Sequence, residues 1–424
     1  MTRTNNTDYL ALAEMYDADF NPANQRIVIE RGNGVMLTDT TGHQTIDASD
    51  IIASVGHCHP RHVAALRHAA AQMITGKSSL TNPSRASLIA RLVGLTPENL
   101  DKVFLATSGG EIVEWAIRVA RRASGRHEIL SFWGGLYGRT LGAQSLGGLQ
   151  RRKRQFGPML PGVIHAPYAY CYRCPFEKKF EDCDFYCIKF LDRLLDAAST
   201  DDLAALIIEP YQGVGGIIFP PEGYLPRLEK WARERNIIFI LDEIQSSFGR
   251  TGKMLALEWE NLRPEILCLG KGLGGGISIA ALVAEAKLIA SLKPGELSGG
   301  NGGNPFACAS ALAVIDIIED GKLNAHAIEI GEYWLGRMRA WQSEFAIIGD
   351  VRGRGVCLAM EFVKDRATKE PLRGFANKLG EACYAKGVFV PGNDHILTIR
   401  PPLVITFEQA ERVANVIEET LREM

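Results

Sequence analysis

Lys271 lies between the apolar run "EILCLG" and the segment "GLGGG", where its amine would lose water and be approached closely by backbone. Both conditions favour a neutral, nucleophilic amine that can form a Schiff base. A lysine in a surface loop carries the same local signature, so Lys271 alone does not separate the two readings. Asp242 stands 29 residues earlier and ends the apolar run "NIIFIL". An acid at the carboxyl end of a buried strand sits where open α/β sheets bind ligands. A helix cap is the alternative use for such an acid, and it suits Glu243 better than Asp242.

A third stretch, "ATSGGEIVEWAIRVAR", sets small residues before an amphipathic run. Ser108, Gly109 and Gly110 would present backbone N–H groups at a helix N-terminus, an arrangement that binds phosphate. Such turns also serve simply as caps. A phosphate turn, an acid and a desolvated lysine, in that order, are what pyridoxal phosphate (PLP) requires. The acid would pair with the ring nitrogen and keep it protonated, so that the ring accepts electrons.

These residues need a sheet to hold them. "KVFLAT", "EILSFW", "LAALIIEP", "NIIFILDE" and "EILCLG" read as strands buried on both faces, and they alternate with helical stretches such as "RASLIARLVGL". That alternation predicts an α/β fold built on a mainly parallel sheet covered by helices. Residues 27 to 50 read as short strands joined by glycine turns. After about 325 the pattern becomes helix, strands and a final helix. The expected organisation is a 1–60 segment joining a small α+β domain, a large domain over 61–322, and the rest of the small domain over 323–424.

The composition narrows the function. At 424 residues and 46% hydrophobic, the chain can bury a large core. With 47 basic and 49 acidic residues, it lacks the basic excess of a nucleic-acid binder. Its apolar runs are too short to span a bilayer, and the polar N-terminus lacks a signal-peptide core. A cytoplasmic protein is expected, with its nine cysteines mostly as thiols.

The chain resembles the class III aminotransferases, fold-type I PLP enzymes, over essentially its whole length. The matching segments are "GHCHP", "TSGGE", "IIEP", "LDEIQSSFGRTGKM", "LGKGLGGG", "GGNPFACASA" and "DVRGRG". The segment "GDVRGRGVCLAMEFVKDRATKEP" is similar to 2,2-dialkylglycine decarboxylases. The resemblance implies Lys271 as the Schiff-base lysine and proton-transfer base, and Asp242 on the pyridinium. It implies Gln245 on the ring's 3-oxygen, Gly109 and Gly110 on the phosphate, and Glu209 near the substrate side of the ring. It also implies a homodimer with active sites at the subunit interface.

Three positions depart from the family pattern. Leu136 stands where an aromatic residue usually stacks on the ring, with Tyr137 beside it as a substitute. Gly300 and Asn301 replace a Thr-Phe pair whose threonine reaches the partner's phosphate, so that this contact is either lost or taken over by Asn301. Thr398 occupies the usual place of the substrate-carboxylate arginine. Arg400 is two residues further along, and such a step moves a group by roughly 6–7 Å on the same strand face. Thr398 therefore predicts a substrate whose amine lacks an adjacent carboxylate, whereas Arg400 or Arg139 would restore ordinary amino-acid recognition.

Two further features lie outside the family pattern. Cys171, Cys174, Cys183 and Cys187 have the spacing of metal ligands, and equally of reduced structural thiols or an oxidised pair. The run "QRRKRQFG" reads as a solvated basic loop, or alternatively as a contact for an anionic substrate. The resulting expectation is a PLP-dependent aminotransferase acting between an amine, amino sugar or amino acid and a keto or aldehyde acceptor. The alternatives are decarboxylation-dependent transamination, racemisation or epimerisation, and a catalytically silent relative that binds PLP or a metal.

Overall fold

The structure is a computed structural model that describes residues 6–19, 27–77 and 80–424. Part of the 1–60 segment therefore lies outside the described residues. The first strands, β1 (Ile29–Asn33), β2 (Met36–Asp39) and β3 (Gln44–Asp47), form an antiparallel meander. The next seven build the central sheet. They are β4 (Lys102–Ala106), β5 (Glu128–Phe132), β6 (Val163–Ala166), β7 (Leu203–Ile208), β8 (Ile238–Asp242), β9 (Ile266–Leu269) and β10 (Ala280–Ala284). Their order is β4-β10-β9-β8-β7-β5-β6, with only β10 running antiparallel to its neighbours.

The unbroken apolar runs follow from burial on both faces of this sheet. In β8, Ile238 and Ile240 enter one hydrophobic cluster, while Phe239 and Leu241 enter another on the opposite side. β7 alternates likewise, with Ala205 and Ile207 on one side and Leu206 and Ile208 on the other. Each fully buried Leu, Ile or Phe contributes roughly 1.5–3 kcal/mol. Truncating Phe239 to alanine would cost about 3–5 kcal/mol, because the lost contacts and the remaining void add.

The Gly109–Ser124 helix covers the first of these faces with Ile112, Val113, Ala116, Val119 and Ala120. Ser108 starts it by accepting the Glu111 N–H at 3.3 Å, and Gly125 ends it at φ 70°. Both are cap chemistry, since a short hydroxyl satisfies an orphan N–H and glycine adopts the left-handed conformation without strain.

The C-terminal strands are β11 (Ile348–Arg354), β12 (Cys357–Asp365), β13 (Glu370–Pro371), β14 (Val388–Phe389), β15 (Gly392–Asn393) and β16 (Ile396–Ile399). All but β14 form one antiparallel sheet. β14 instead pairs in parallel with β3, matching Val388 to Ile46, and so ties the N-terminal meander to the C-terminal region. No described helix is long and apolar enough to cross a membrane.

The cysteine-rich insertion is bolted to this C-terminal sheet through Glu361 on β12. Arg173 Nε meets Glu361 Oε1 at 2.5 Å, Arg352 meets Oε2 at 2.9 Å, and the Tyr170 hydroxyl donates to the same carboxylate. Burial alone would raise the Glu361 carboxyl, but His395, Arg352, Tyr170 and Arg173 together hold it well below the usual range. The four cysteines line a cavity of about 20 Å³ and are unbridged. Burial, then the nearby thiols, push Cys171 up to about 11 and Cys187 up to about 12. No three of the four sulfur atoms lie within 4.8 Å of one another.

Candidate active site

β8 and β9 run side by side with Asp242 opposite Cys268, so Asp242 and Lys271 emerge at the same end of the sheet. Both line one cavity of about 380 Å³. Asp242 is 4% exposed, and its Oδ1 accepts the Ile244 N–H at 2.9 Å. Burial pushes its carboxyl up to about 7, against the pull of that N–H and of Lys271. A cation placed against Asp242 would draw the value back down. The protonated ring nitrogen of PLP is such a cation, and the acid fits it.

Glu243 goes elsewhere. Its carboxylate accepts the Ala256 and Leu257 N–H groups at 2.6 Å each and holds the turn that follows "RTGKM". Of two adjacent acids, Asp242 at the end of β8 faces the cavity, while Glu243, just beyond the strand, is committed to backbone.

Lys271 leaves β9 through Gly270 and sits at φ 41°. A non-glycine residue there stores strain of order 1 kcal/mol, a cost found where surrounding structure holds a side chain in a required place. Burial lowers its pKa, and Glu209 and Asp242 oppose that shift. Glu209 follows β7 and accepts the Leu136 N–H at 3.0 Å and the Gly213 N–H at 3.1 Å. Burial first, then the charge of Asp242, pushes its carboxyl up to about 8. Both shifts favour a neutral Lys271–Glu209 pair, and the free-base lysine is the nucleophilic form.

Close approaches shape the rest of the site. A Cβ on Gly109 would lie 2.8 Å from Ile244 Cδ1, so glycine lets the helix start lie against the turn after Asp242. Gly109 and Gly110 line the cavity at positions whose N–H groups have no acceptor within the helix. Ser108, by contrast, spends its hydroxyl on the cap. A Cβ on Gly213 would fall 1.8 Å from Gln245 Oε1, an amide oxygen that is buried without a partner. That orphaned amide beside Asp242 is free to bond a ring substituent. The free N–H groups of Gly109 and Gly110, the unpartnered Gln245 oxygen as an acceptor and the acid together fit PLP.

Other positions distribute unevenly. Leu136 and Tyr137 both line the cavity, but the Tyr137 hydroxyl donates to Ile207 O at 3.1 Å, which holds the ring as a fixed wall. Gly300 and Asn301 are exposed and do not line it, and Asn301 Oδ1 accepts the Thr75 hydroxyl at 3.0 Å. Thr398 is 7% exposed within β16, opposite Ala359, and does not line it either. Arg400 does. The strand ends at Ile399, and the Arg400 N–H bonds Ala48 O at 2.7 Å, so strand alternation no longer ties its direction to that of Thr398. Its Nε is buried and unpartnered.

Sequence reasoning missed Ile51 and reached Arg152 only as part of the basic run, read as a solvated loop or alternatively an anionic-substrate contact; both line the cavity. Ile51 comes in on a loop anchored by Asp47. That carboxylate accepts the Ser49 and Asp50 N–H groups and meets His57 Nε2 at 2.8 Å. Arg152 belongs to the basic run, whose composition alone does not say which of its cations turns inward.

Comparison with known proteins agrees with this geometry. The family described as "Aminotransferase class-III" matches residues 19–421. An ornithine aminotransferase of Oceanobacillus iheyensis is 36% identical over 408 residues, covering 93% of this chain and 94% of its own. An alanine/serine racemase of Pyrococcus horikoshii is 33% identical over 414 residues, covering 94% and 86%. The crystal structure of an amine transaminase from an uncultivated Pseudomonas species, in its PLP-bound form, superposes with a TM-score of 0.90 at 28% identity, covering 96% and 98%. The chain belongs to the class-III aminotransferases and is a PLP-dependent transaminase.

Proposed function

We propose that this enzyme moves an amino group from a carboxylate-bearing amine to a keto or aldehyde acceptor, with Lys271 and Asp242 as its catalytic residues. The observation that carries this reading is the cavity itself, which brings a buried acid, a desolvated lysine, an orphaned amide and an unpaired arginine together. PLP, when bound, supplies a carbonyl for the amine and an electron-accepting ring. Asp242 would hold the proton on the ring nitrogen, and the Gly109–Gly110 helix start would receive the phosphate. Lys271, as a free base, would hold the cofactor's carbonyl through Nζ, and the same Nζ would carry the proton at the reacting carbon. Burial lowers the pKa of Lys271 and so favours its unprotonated amine. Arg400 orients a carboxylate, because a guanidinium fork matches the planar anion. The exposed rims at Gly300 and Asn301 support a homodimer in which a second subunit completes the phosphate site.

Nitrogen-15 tracing tests this reading. Incubation with a 15N-labelled amino donor and an unlabelled keto acid should place the label on the acceptor skeleton. Lys271→Ala should lower that transfer by about 10²–10⁴-fold, the usual contribution of a positioned acid–base group. The variant should also lose the covalent adduct that borohydride traps on Lys271. The relationship to a racemase motivates a second reading. Label that stays on its original skeleton while the α-carbon loses its configuration would overturn transamination in favour of racemisation.

A further inference from the structure

We propose that His62 is a positioning residue for Lys271, acting through the Ser310 hydroxyl to pin the turn that carries the lysine into the cavity. The inference rests on Lys271 as the catalytic lysine, and it names a residue outside the cavity lining that holds it in place.

Lys271 opens a single tight turn, Lys271–Gly274, in which Gly272, Leu273 and Gly274 are buried. Its own backbone lies in the left-handed region at φ 41°. Such a conformation persists in a non-glycine residue only where the surrounding structure over-determines it. Support from within the turn is thin. The Leu273 N–H bonds Gly270 O at 3.0 Å, and the Gly275 N–H reaches Gly272 O only at 3.4 Å. Two side chains from distant parts of the chain supply the rest. The Ser54 hydroxyl donates to Gly272 O at 2.9 Å, and the Ser310 hydroxyl donates to Gly274 O at 2.8 Å.

Ser310 lies inside the Pro305–Asp320 helix and is buried. A serine in that setting commonly turns its hydroxyl back to the carbonyl four residues earlier, here that of Phe306. His62, on the Pro60–Gln72 helix, meets the Ser310 oxygen with Nε2 at 2.7 Å. The hydroxyl has one hydrogen, spent on Gly274 O, so Nε2 is the donor in this second bond. The imidazole thus fixes the Ser310 oxygen and leaves its hydrogen aimed at the turn. Burial first, then the charge of His59, lowers the His62 pKa and keeps the ring neutral. His62 and Ser310 are both buried, so both bonds form in a low dielectric that strengthens them. Packing closes the arrangement. A Cβ on Gly275 would lie 3.0 Å from His62 Cε1 and 2.7 Å from Val314 Cγ2, so the chain just past the turn presses on the ring.

Amide hydrogen exchange on the PLP-loaded protein reads the pin without turnover. In His62→Leu the Leu273, Gly275 and Ile277 amides should exchange ~5-fold or more faster, while the β9 amides keep their protection. Stopped-flow half-reactions with the donor of the label-transfer assay should show a maximal rate lowered ~10-fold or more, because a displaced acid–base group loses its alignment. The apparent dissociation constant of the donor should stay within about threefold. His62→Gln, whose amide N–H can stand in for Nε2, should restore most of the protection and the rate. Ser310→Ala should match His62→Leu, and the double variant should be no worse than either, since the two act through one bond. Ser310→Ala also carries the test if His62→Leu fails to fold. Unchanged exchange at the turn, an equal loss of protection in β9, a loss confined to donor affinity, no rescue by glutamine, or additive losses would each overturn the proposal. Normal exchange and rates in both single variants, with label transfer still lost in Lys271→Ala, would sink this inference alone. A loosened turn in a protein whose Lys271→Ala variant still transfers label would sink the catalytic reading of Lys271 alone.

Discussion

Replacing Asp242 with asparagine should stabilise the cofactor-free protein above neutral pH while removing most of its catalytic competence. The carboxyl's ordinary value is 3.8, and burial pushes it up to about 7 in the fold. At ~1.4 kcal/mol per pKa unit, this makes ionisation in the folded state unfavourable by about 4 kcal/mol. Between those values the folded chain keeps a proton that the unfolded chain has released. Stability therefore falls as pH rises from about 4 to about 7, and stays lowered above that. Asparagine has nearly the same shape and no charge to bury, so the variant should lack this loss. Thermal melting of the two cofactor-free proteins should converge near pH 4, with the variant melting higher at pH 8. Adding PLP should reverse the order at pH 8, because a ligand stabilises in proportion to its affinity for the folded state and asparagine offers no anion to the ring nitrogen. Stopped-flow half-reactions of the PLP-loaded variant should slow by at least ~100-fold, equivalent to ~3 kcal/mol of transition-state stabilisation. Identical melting of both cofactor-free proteins at pH 8, or half-reactions within a few-fold of wild type, would refute the reasoning.

Arg400→Ala should lower kcat/KM for donors with an α-carboxylate by ~10–100-fold, as expected for loss of a hydrogen bond to a charged group, and should leave carboxylate-free amines nearly unaffected. Thr398→Val, buried opposite Ala359, should change neither class by more than a few-fold; the reverse pattern in steady-state kinetics would return the carboxylate-discriminating position to Thr398. Cys187, partly buried and raised to about 12, should alkylate at pH 8 far more slowly than the exposed Cys58, as followed by mass spectrometry. Elemental analysis finding close to one zinc or iron per chain, lost in a Cys171→Ser/Cys174→Ser protein, would overturn that description of the insertion.

What the chain determined by itself was local in origin. The uninterrupted apolar run before Asp242 required a strand covered on both sides, and "TSGG" before an amphipathic stretch required a capped helix with a free N-terminus. Lys271 between a buried run and glycines was legible for the same reason, because neighbouring residues supply most of its desolvation. The remaining assignments depended on where distant segments meet. Thr398 and Arg400 share a strand face only while the strand continues; it ends at Ile399, and the Arg400 N–H then bonds Ala48 O, some 350 positions away in the chain. Glu243 was separated from Asp242 by backbone at Ala256 and Leu257, and Gln245 was left unpartnered by the space that Gly213 opens. Arg152 was one of four consecutive cations until Gly148 pressed the chain against β5 and His165 took up Lys153. Periodicity and caps are properties of consecutive residues, whereas the direction of a side chain beyond a strand end is set by whatever the tertiary structure packs against it.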